Sequence, residues 1–223
     1  MTYVAPIICL VTDRRRLAPG ASLEVQMDRL AAQAEEAARA GIGVIQLRER
    51  DLEGAALVLL ARRLIEAAAP ARIVVNDRGD VALAAGAHGV HLRSDSYDAG
   101  RLRGLAPAGW LVGRSIHTPA EATAAGETAD YLVFGAVYPT ASKPGGPPPA
   151  GVPALREAAA RARAPVLAIG GVSVARLPEI AAAGSAGVAA IELFLPPTAG
   201  VPGRPGIAAA VSAIRAAFGA GVD

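Results

Sequence analysis

The sequence predicts a single α/β domain over residues 1–223, folded as a (β/α)8 TIM barrel with parallel strands. Short β-prone runs alternate with longer Ala-rich segments of helical character, which is the pattern of βαβ units. Eight such runs can be counted. An open doubly wound sheet is the alternative, but no Gly-x-Gly-x-x-Gly follows the first run, and 223 residues suit a compact barrel.

The elements follow one another at regular intervals. The predicted strands span residues 7–11, 44–47, 73–75, 89–92, 110–112, 131–134, 166–169 and 187–190. The clearest helical segments span residues 23–39, 54–68, 151–163 and 174–183, with Gly41, Gly86, Gly126 and Gly184 as predicted helix stops. Residues 139–151 lie inside the sixth repeat and are crowded with Gly, Pro and Ala, so they are predicted to form a mobile active-site loop.

The composition favours a small anionic ligand over a nucleic acid. The chain is 52% apolar with a formal charge of +2, and only 4% of its residues are aromatic, so we expect no nucleic-acid surface. It contains no signal core and no apolar run of about 20 residues, so we expect a cytoplasmic protein without membrane contact. The lone Cys9 is expected in the core. A homo-oligomer is compatible with the sequence.

Polar residues close the predicted strands at the end where a barrel of this kind places its site. Arginine, lysine and hydroxyl side chains converging on one rim favour a phosphate or diphosphate ligand. The candidates are Arg48, Arg50, Asn76, Asp77, Arg114, Ser115, His117, Thr140, Ser142 and Lys143. A solvated rim with ordinary salt bridges is the alternative for any one of them.

The last two strands end in a second candidate phosphate site. Gly170 and Gly171 would let backbone amides approach phosphate oxygens, and Ala190 and Ile191 end the eighth strand beside them. A Gly-Gly pair can also form only a tight turn, so both interpretations stay open. Glu192 would repel a phosphate there, and we expect its carboxylate to turn aside toward an arginine. A natural ligand that carries no phosphate at this place is the alternative.

Taken together, these motifs resemble the superfamily of thiamine phosphate synthases and TenI-type thiazole tautomerases over almost the whole chain. The segments that carry the resemblance are Leu10-Val11-Thr12-Asp13, Gln46-Leu47-Arg48-Glu49-Arg50, Val75-Asn76-Asp77, Gly89-Val90-His91-Leu92, Ser115-Ile116-His117-Thr118, Ala129-Asp130-Tyr131, Tyr138-Pro139-Thr140-Ala141-Ser142-Lys143 and Ala168-Ile169-Gly170-Gly171. The resemblance implies a TIM barrel and a thiazole or pyrimidine phosphate as the small-molecule ligand.

The synthase branch implies a Mg²⁺-dependent condensation of hydroxymethylpyrimidine diphosphate with thiazole phosphate. Asp77 matches its first metal-binding carboxylate, but the family pattern His-x-Gly-Gln-x-Asp becomes His91-Leu92-Arg93-Ser94-Asp95-Ser96 here. Ser96 therefore stands where the second metal carboxylate belongs, and Asp95 comes one residue early, on the opposite side of an extended segment. The pattern Arg-Glu-Lys is also changed, since Arg50 replaces the lysine.

The tautomerase branch is the interpretation that we place first. It implies proton transfer without a metal or other cofactor, converting a carboxylated, exocyclic dihydrothiazole phosphate to the aromatic thiazole phosphate. His117 is the candidate for that transfer, because an imidazole can take and give a proton near neutral pH. Both branches can carry this histidine, so Ser96, Arg50 and Arg114 are the discriminating residues. A noncatalytic binder of thiamine intermediates is the third hypothesis.

Overall fold

Eight parallel strands form one closed barrel in the computed structural model, which describes residues 5–140, 148–196 and 205–219. The strands are β1 (Ile7–Val11), β2 (Val44–Leu47), β3 (Arg72–Asn76), β4 (Gly89–Leu92), β5 (Leu111–Ile116), β6 (Tyr131–Phe134), β7 (Val166–Ala168) and β8 (Gly187–Ala190). Each strand pairs with the next, and β1 pairs with β8, with Ile7 opposite Gly187. The predicted barrel is confirmed.

Helices surround the barrel. Those in the described residues are α1 (Arg14–Leu17), α2 (Leu23–Ala40), α3 (Gly54–Ala67), α4 (Gly79–Ala85), α5 (Ala99–Arg103), α6 (Pro119–Thr128), α7 (Gly151–Arg161), α8 (Leu177–Ala182) and α9 (Ile207–Gly219), with short 3₁₀ turns at Val174–Arg176 and Glu192–Phe194. Gly41 and Gly86 end α2 and α4 in the left-handed conformation, as predicted. Gly126 does not end a helix. It lies buried inside α6, where an added Cβ would meet the Arg163 backbone nitrogen at 3.2 Å.

Alternation along the strands divides the core into two layers. One set of side chains packs inside the barrel, including Cys9, Leu111, Tyr131 and Leu167. The other set points outward and packs beneath the helices, including Ile45 from β2. Because every strand is covered on both sides, the strand sequences read as nearly continuous apolar runs. Cys9 is fully buried, as expected.

Strand β5 is the main departure from the predicted boundaries. The apolar run predicts an end at Val112, but pairing with β6 continues to Ile116, opposite Phe134. Gly113 and Ser115 thereby alternate with Arg114 across the sheet. Main-chain hydrogen bonds with β6 therefore extend β5 beyond its apolar part.

Two further expectations concern the surface and the sixth loop. Among the residues that the structure describes, no helix is long and apolar enough to cross a membrane. Residues 141–147 of the predicted mobile loop lie outside the described residues, so its mobility stays a prediction. Helix α7 begins at Gly151, which is the last residue of the predicted loop.

Candidate active site

The carboxyl ends of the strands surround a cavity of about 490 Å³. Its walls contain most of the residues proposed from the sequence: Arg48, Arg50, Asn76, Ser115, His117, Thr140, Gly170, Gly171, Ala190 and Ile191. Ser142 and Lys143 lie outside the described residues. Asp77 lines a smaller adjoining pocket instead.

Two arginines after β2 supply positive charge to the cavity. Neither the Arg48 nor the Arg50 guanidinium has a carboxylate within 4.0 Å among the described residues, although both line the wall. Burial is the main reason why the pKa of Arg48 is lowered, and the nearby charge of Arg50 lowers it further. Two like charges held together at a partly buried wall are stabilised by an anion between them.

A buried ion pair fixes the segment that carries these arginines. The Glu49 carboxylate accepts hydrogen bonds from the Thr12 hydroxyl at 2.7 Å and from Arg14 Nη1 at 2.9 Å, and both charged side chains are at most 5% exposed. Thr12 in turn accepts a hydrogen bond from the Arg48 backbone N–H at 2.9 Å. Glu49 therefore joins the end of β2 to the turn after β1, and it does not line the cavity.

The floor of the cavity holds a buried imidazole. His91 Nε2 lies 2.9 Å from Ser115 Oγ, and His91 Nδ1 lies 3.2 Å from the Tyr131 hydroxyl. Burial lowers the pKa of His91 to about 3, so the ring is neutral near pH 7. A neutral imidazole has one donor and one acceptor, so one of the two hydroxyls donates to the ring while the other accepts from it.

Gly113 makes room for this arrangement. A Cβ at that position would lie 2.5 Å from His91 Nδ1 and 2.4 Å from the Tyr131 hydroxyl oxygen. Such contacts are far below van der Waals distance, so any side chain on this residue would displace the ring pair. The glycine is thus required by the interior of the barrel.

His117 follows β5 at the wall of the cavity. Its Nδ1 lies 2.5 Å from the Gly135 carbonyl oxygen, and a carbonyl can only accept, so Nδ1 carries the proton. Nε2 is therefore the basic nitrogen of the neutral ring. The His117 backbone N–H donates to Glu121 at 2.7 Å, which anchors the residue at the start of α6.

The glycine loop after β7 and the end of β8 form the opposite wall. Gly170 and Gly171 have φ values of +94° and +62°, and a Cβ on Gly170 would meet Ala136 Cβ at 2.5 Å. Glu192 forms the expected ion pair with an arginine, Arg16 of α1, but it also lines the cavity, so its turning away from a phosphate stays a prediction. This pairing offsets the negative charge beside the proposed phosphate site.

The loops after β3 and β4 form a third part of the site, a corner at which Asp77 has two partners. The Ser96 hydroxyl donates to Asp77, and Arg93 Nη1 lies 3.7 Å from Asp77 Oδ2. Arg93 also donates to Asp95 through Nε at 2.9 Å and through Nη2, which lowers the pKa of that carboxyl. Mg²⁺ prefers a near-octahedral shell of oxygen atoms, commonly with one or two carboxylates. A guanidinium lies against both candidate carboxylates here, so this corner does not fit a divalent cation.

Comparison with known proteins assigns the family. A family model described as thiamine monophosphate synthase matches residues 9–194. The chain belongs to that family. Membership places it among the enzymes of thiamine biosynthesis.

Individual members of the thiamine monophosphate synthase family resemble the chain over most of its length. A thiamine-phosphate synthase of Methanoculleus marisnigri is 43% identical over 158 residues, covering 70% of this chain and 75% of the relative. One of Anaeromyxobacter dehalogenans is 40% identical over 192 residues, covering 85% and 83%. The structure of a Pyrococcus furiosus thiamine phosphate pyrophosphorylase covers 98% of both chains at 26% identity with a TM-score of 0.76. These names favour the synthase over the tautomerase that the sequence placed first.

The sequence predicted Arg114 in the phosphate site, but the structure places it outside the cavity. It lies between the inward Gly113 and Ser115 on β5, and it does not line the cavity. Its guanidinium donates to the backbone carbonyls of Ser94, Ser96 and Tyr97 at 3.0 to 3.1 Å. The side chain points away from the interior because neighbouring residues on a strand face opposite sides. Arg114 therefore braces the loop after β4.

Three residues of the site belong to motifs at the strand ends, but the sequence predicted no role for them. His91, Gln46 and Arg93 all line the cavity, and Gln46 donates to Asn76 at 2.9 Å. His91 and Gln46 lie inside apolar runs, where a polar residue on the inward face was the available signal. Arg93 replaces the glycine of the family pattern, and that departure was also visible in the sequence.

Proposed function

We propose that this member of the thiamine monophosphate synthase family is a thiazole phosphate tautomerase that needs no metal ion. One observation carries the proposal: Asp77 is engaged by the Ser96 hydroxyl and faces the Arg93 guanidinium, at the corner where a metal-dependent condensation requires paired carboxylates. An isomerisation by proton transfer requires no such pair. The cavity does contain a proton-transfer group, His117, beside a positively charged wall.

The reaction follows from the placement of these groups. Arg48 and Arg50 attract the anionic groups of the substrate, and the backbone at Gly170 and Gly171 receives its phosphate. His117 Nε2 takes a proton from one carbon of the dihydrothiazole, and the released electron pair moves through the conjugated system. The imidazolium then delivers a proton to another carbon, which leaves an aromatic ring of unchanged composition. Positioned acid–base catalysis of this kind contributes about 10²- to 10⁴-fold.

His117 is held for both halves of this exchange. The Gly135 carbonyl fixes the proton on Nδ1 in the neutral ring, so Nε2 is the base at the start. After the ring is protonated, the same carbonyl continues to accept from Nδ1, and Nε2–H becomes the acid. No rotation of the ring is needed between the two steps.

A thiamine phosphate synthase is the second candidate, because the curated relatives bear that name. This reaction would join a hydroxymethylpyrimidine diphosphate to thiazole phosphate with loss of the diphosphate. It would be expected to depend on Asp77, whereas tautomerisation would not.

A paired assay tests the proposal. The purified protein is given the dihydrothiazole phosphate carboxylate in EDTA, and separately both condensation substrates with excess Mg²⁺. We expect aromatic thiazole phosphate in the first reaction and no thiamine phosphate in the second. The reverse outcome would establish the synthase, and tight binding without turnover in either reaction would establish a noncatalytic binder.

A further inference from the structure

Arg93 occupies a distinctive position at the rim. Its side chain lines both the main cavity and the smaller pocket that contains Asp77. Although the Arg93 side chain is 52% exposed, its guanidinium is held by Asp95 through Nε and Nη2. These bonds leave Nη1 near Asp77 at 3.7 Å, a distance at which charges attract without a hydrogen bond. A fork of this kind fixes the plane and the position of the positive charge.

The loop that carries Arg93 is itself braced. The Arg93 backbone N–H donates to Ser96 Oγ at 3.0 Å, and the Arg114 guanidinium binds the carbonyls of Ser94 and Ser96 from the outer side of β5. Ser96 then passes a hydrogen bond on to Asp77. The Arg93 side chain therefore extends from a turn that several hydrogen bonds hold in place.

Two substitutions relative to the family pattern act together here. Arg93 replaces a glycine and adds a positive charge, and Ser96 replaces an aspartate and removes a negative charge. Each change makes its own position one unit more positive than in the pattern, while Asp95, at a position that the pattern leaves open, adds the carboxylate that holds Arg93. Ser96 and Arg93 also both contact Asp77, which keeps the remaining carboxylate compensated.

We propose that Arg93 is a built-in replacement for the divalent cation and binds an anionic group of the substrate at this corner. The proposal deepens the proposed function and rests on it for the nature of the ligand, a carboxylate or phosphate oxygen of the thiazole substrate. Nη1 is the donor that reaches the anion, while Asp95 holds the rest of the guanidinium in place. Arg93 then faces the anion together with Arg48 and Arg50, which line the same cavity.

Anion binding can be measured apart from catalysis. Inorganic pyrophosphate is titrated calorimetrically into the wild-type protein in EDTA and again in excess Mg²⁺. We expect the same affinity in both buffers. Arg93→Ala should weaken binding in EDTA by about 10- to 100-fold, the range for loss of a charge-assisted hydrogen bond. Arg161→Ala is the control, because Arg161 is also a partly exposed arginine paired with a carboxylate, that of Glu157, but it lines neither pocket.

A reciprocal variant tests the replacement directly. Arg93→Gly combined with Ser96→Asp restores the family pattern at both positions, and we expect its pyrophosphate binding to be weak in EDTA and to recover in Mg²⁺. Circular dichroism and thermal melting verify that each variant is folded. The proposal is overturned if the wild-type protein binds pyrophosphate only with Mg²⁺ or not at all, or if Arg93→Ala binds as tightly as wild type.

The two proposals fail separately. Metal-free binding that depends on Arg93, found together with an absence of tautomerase turnover, would contradict the proposed function and leave the role of Arg93 standing. Tautomerase turnover with binding that is indifferent to Arg93→Ala would contradict only the role of Arg93.

Discussion

His91 Nε2 and Ser115 Oγ lie 2.9 Å apart, and this contact connects a fully buried ring to a hydroxyl at the cavity wall. Tyr131 completes the arrangement from the far side of the ring. Because the ring is neutral, His91 adds no ionic charge to the floor of the cavity, and Ser115 is oriented by a group that does not titrate near pH 7.

The buried ring makes stability depend on pH. The pKa of His91 is about 3 in the folded protein and near 6.5 in an unfolded chain. Above pH 6.5 neither state binds the proton, so the contribution of His91 to stability is complete. As the pH falls from 6.5 toward 3, only the unfolded chain takes up the proton, so stability falls by up to about 1.4 kcal/mol per pH unit. Urea unfolding at pH 7 and pH 5 should show a smaller loss for His91→Gln than for wild type. Equal losses in the two proteins would contradict the assignment.

Gly113→Ala should destabilise the protein by about 1–3 kcal/mol, because its Cβ would overlap the Tyr131 ring and His91. Gly43→Ala is the control, since a Cβ there meets nothing within 4 Å, and we expect its stability to be unchanged or slightly raised. Urea denaturation midpoints measure both. Equal stability of the two variants would show that the interior has room for a methyl group.

His117→Gln should lower tautomerase kcat by about 10²- to 10⁴-fold with little change in substrate affinity, because only the proton-transfer group is lost. His88→Gln serves for comparison, since His88 accepts a hydrogen bond from the Ile73 backbone at 3.0 Å and does not line the cavity. Steady-state kinetics and calorimetric binding separate the two effects. Unchanged turnover in His117→Gln would remove this residue from the mechanism.

Glu49→Ala should reduce stability by about 1–3 kcal/mol, because Arg14 and Thr12 lose a buried acceptor, although Arg14 keeps its ion pair with Asp51. Glu157→Ala removes a carboxylate from an exposed pair with Arg161, and there the loss should stay below about 1 kcal/mol. Thermal and urea unfolding provide the comparison. If the two variants lost the same stability, Glu49 would not be the anchor of the turn after β1.

The barrel could be predicted from the sequence because its strands are buried on both faces and helices such as α2, α3 and α7 are amphipathic, so most repeats carry their own periodicity. The prediction was wrong at the end of β5 and at Gly126. Strand β5 continues through Arg114 because β6 supplies hydrogen-bond partners, and no local pattern reports that pairing. Gly126 resembles a helix stop, yet it serves the close packing of α6 against the residues after α7.

The candidate site was predictable where residue type alone carried the chemistry, as for Arg48 and His117. It was not predictable where a residue's place in the site depends on the direction in which its side chain points. Whether Arg114 faces the cavity depends on the phase of a strand whose end lies beyond its apolar run. Likewise, Asp77 could bind a metal only if no neighbouring side chain occupied its carboxylate. Ser96 and Arg93 approach that carboxylate because of the way the loop after β4 folds, and the sequence does not report this.

The pairing of β1 with β8 has a consequence for synthesis on the ribosome. The Arg16–Glu192 ion pair and the Ile7 to Gly187 register join segments from opposite ends of the chain. Such distant contacts form late, because a long loop must close first. The wall formed by Gly170, Gly171 and Ile191 therefore reaches its place only after almost the entire polypeptide has been translated. A truncated product would have the arginines after β2 but no completed cavity.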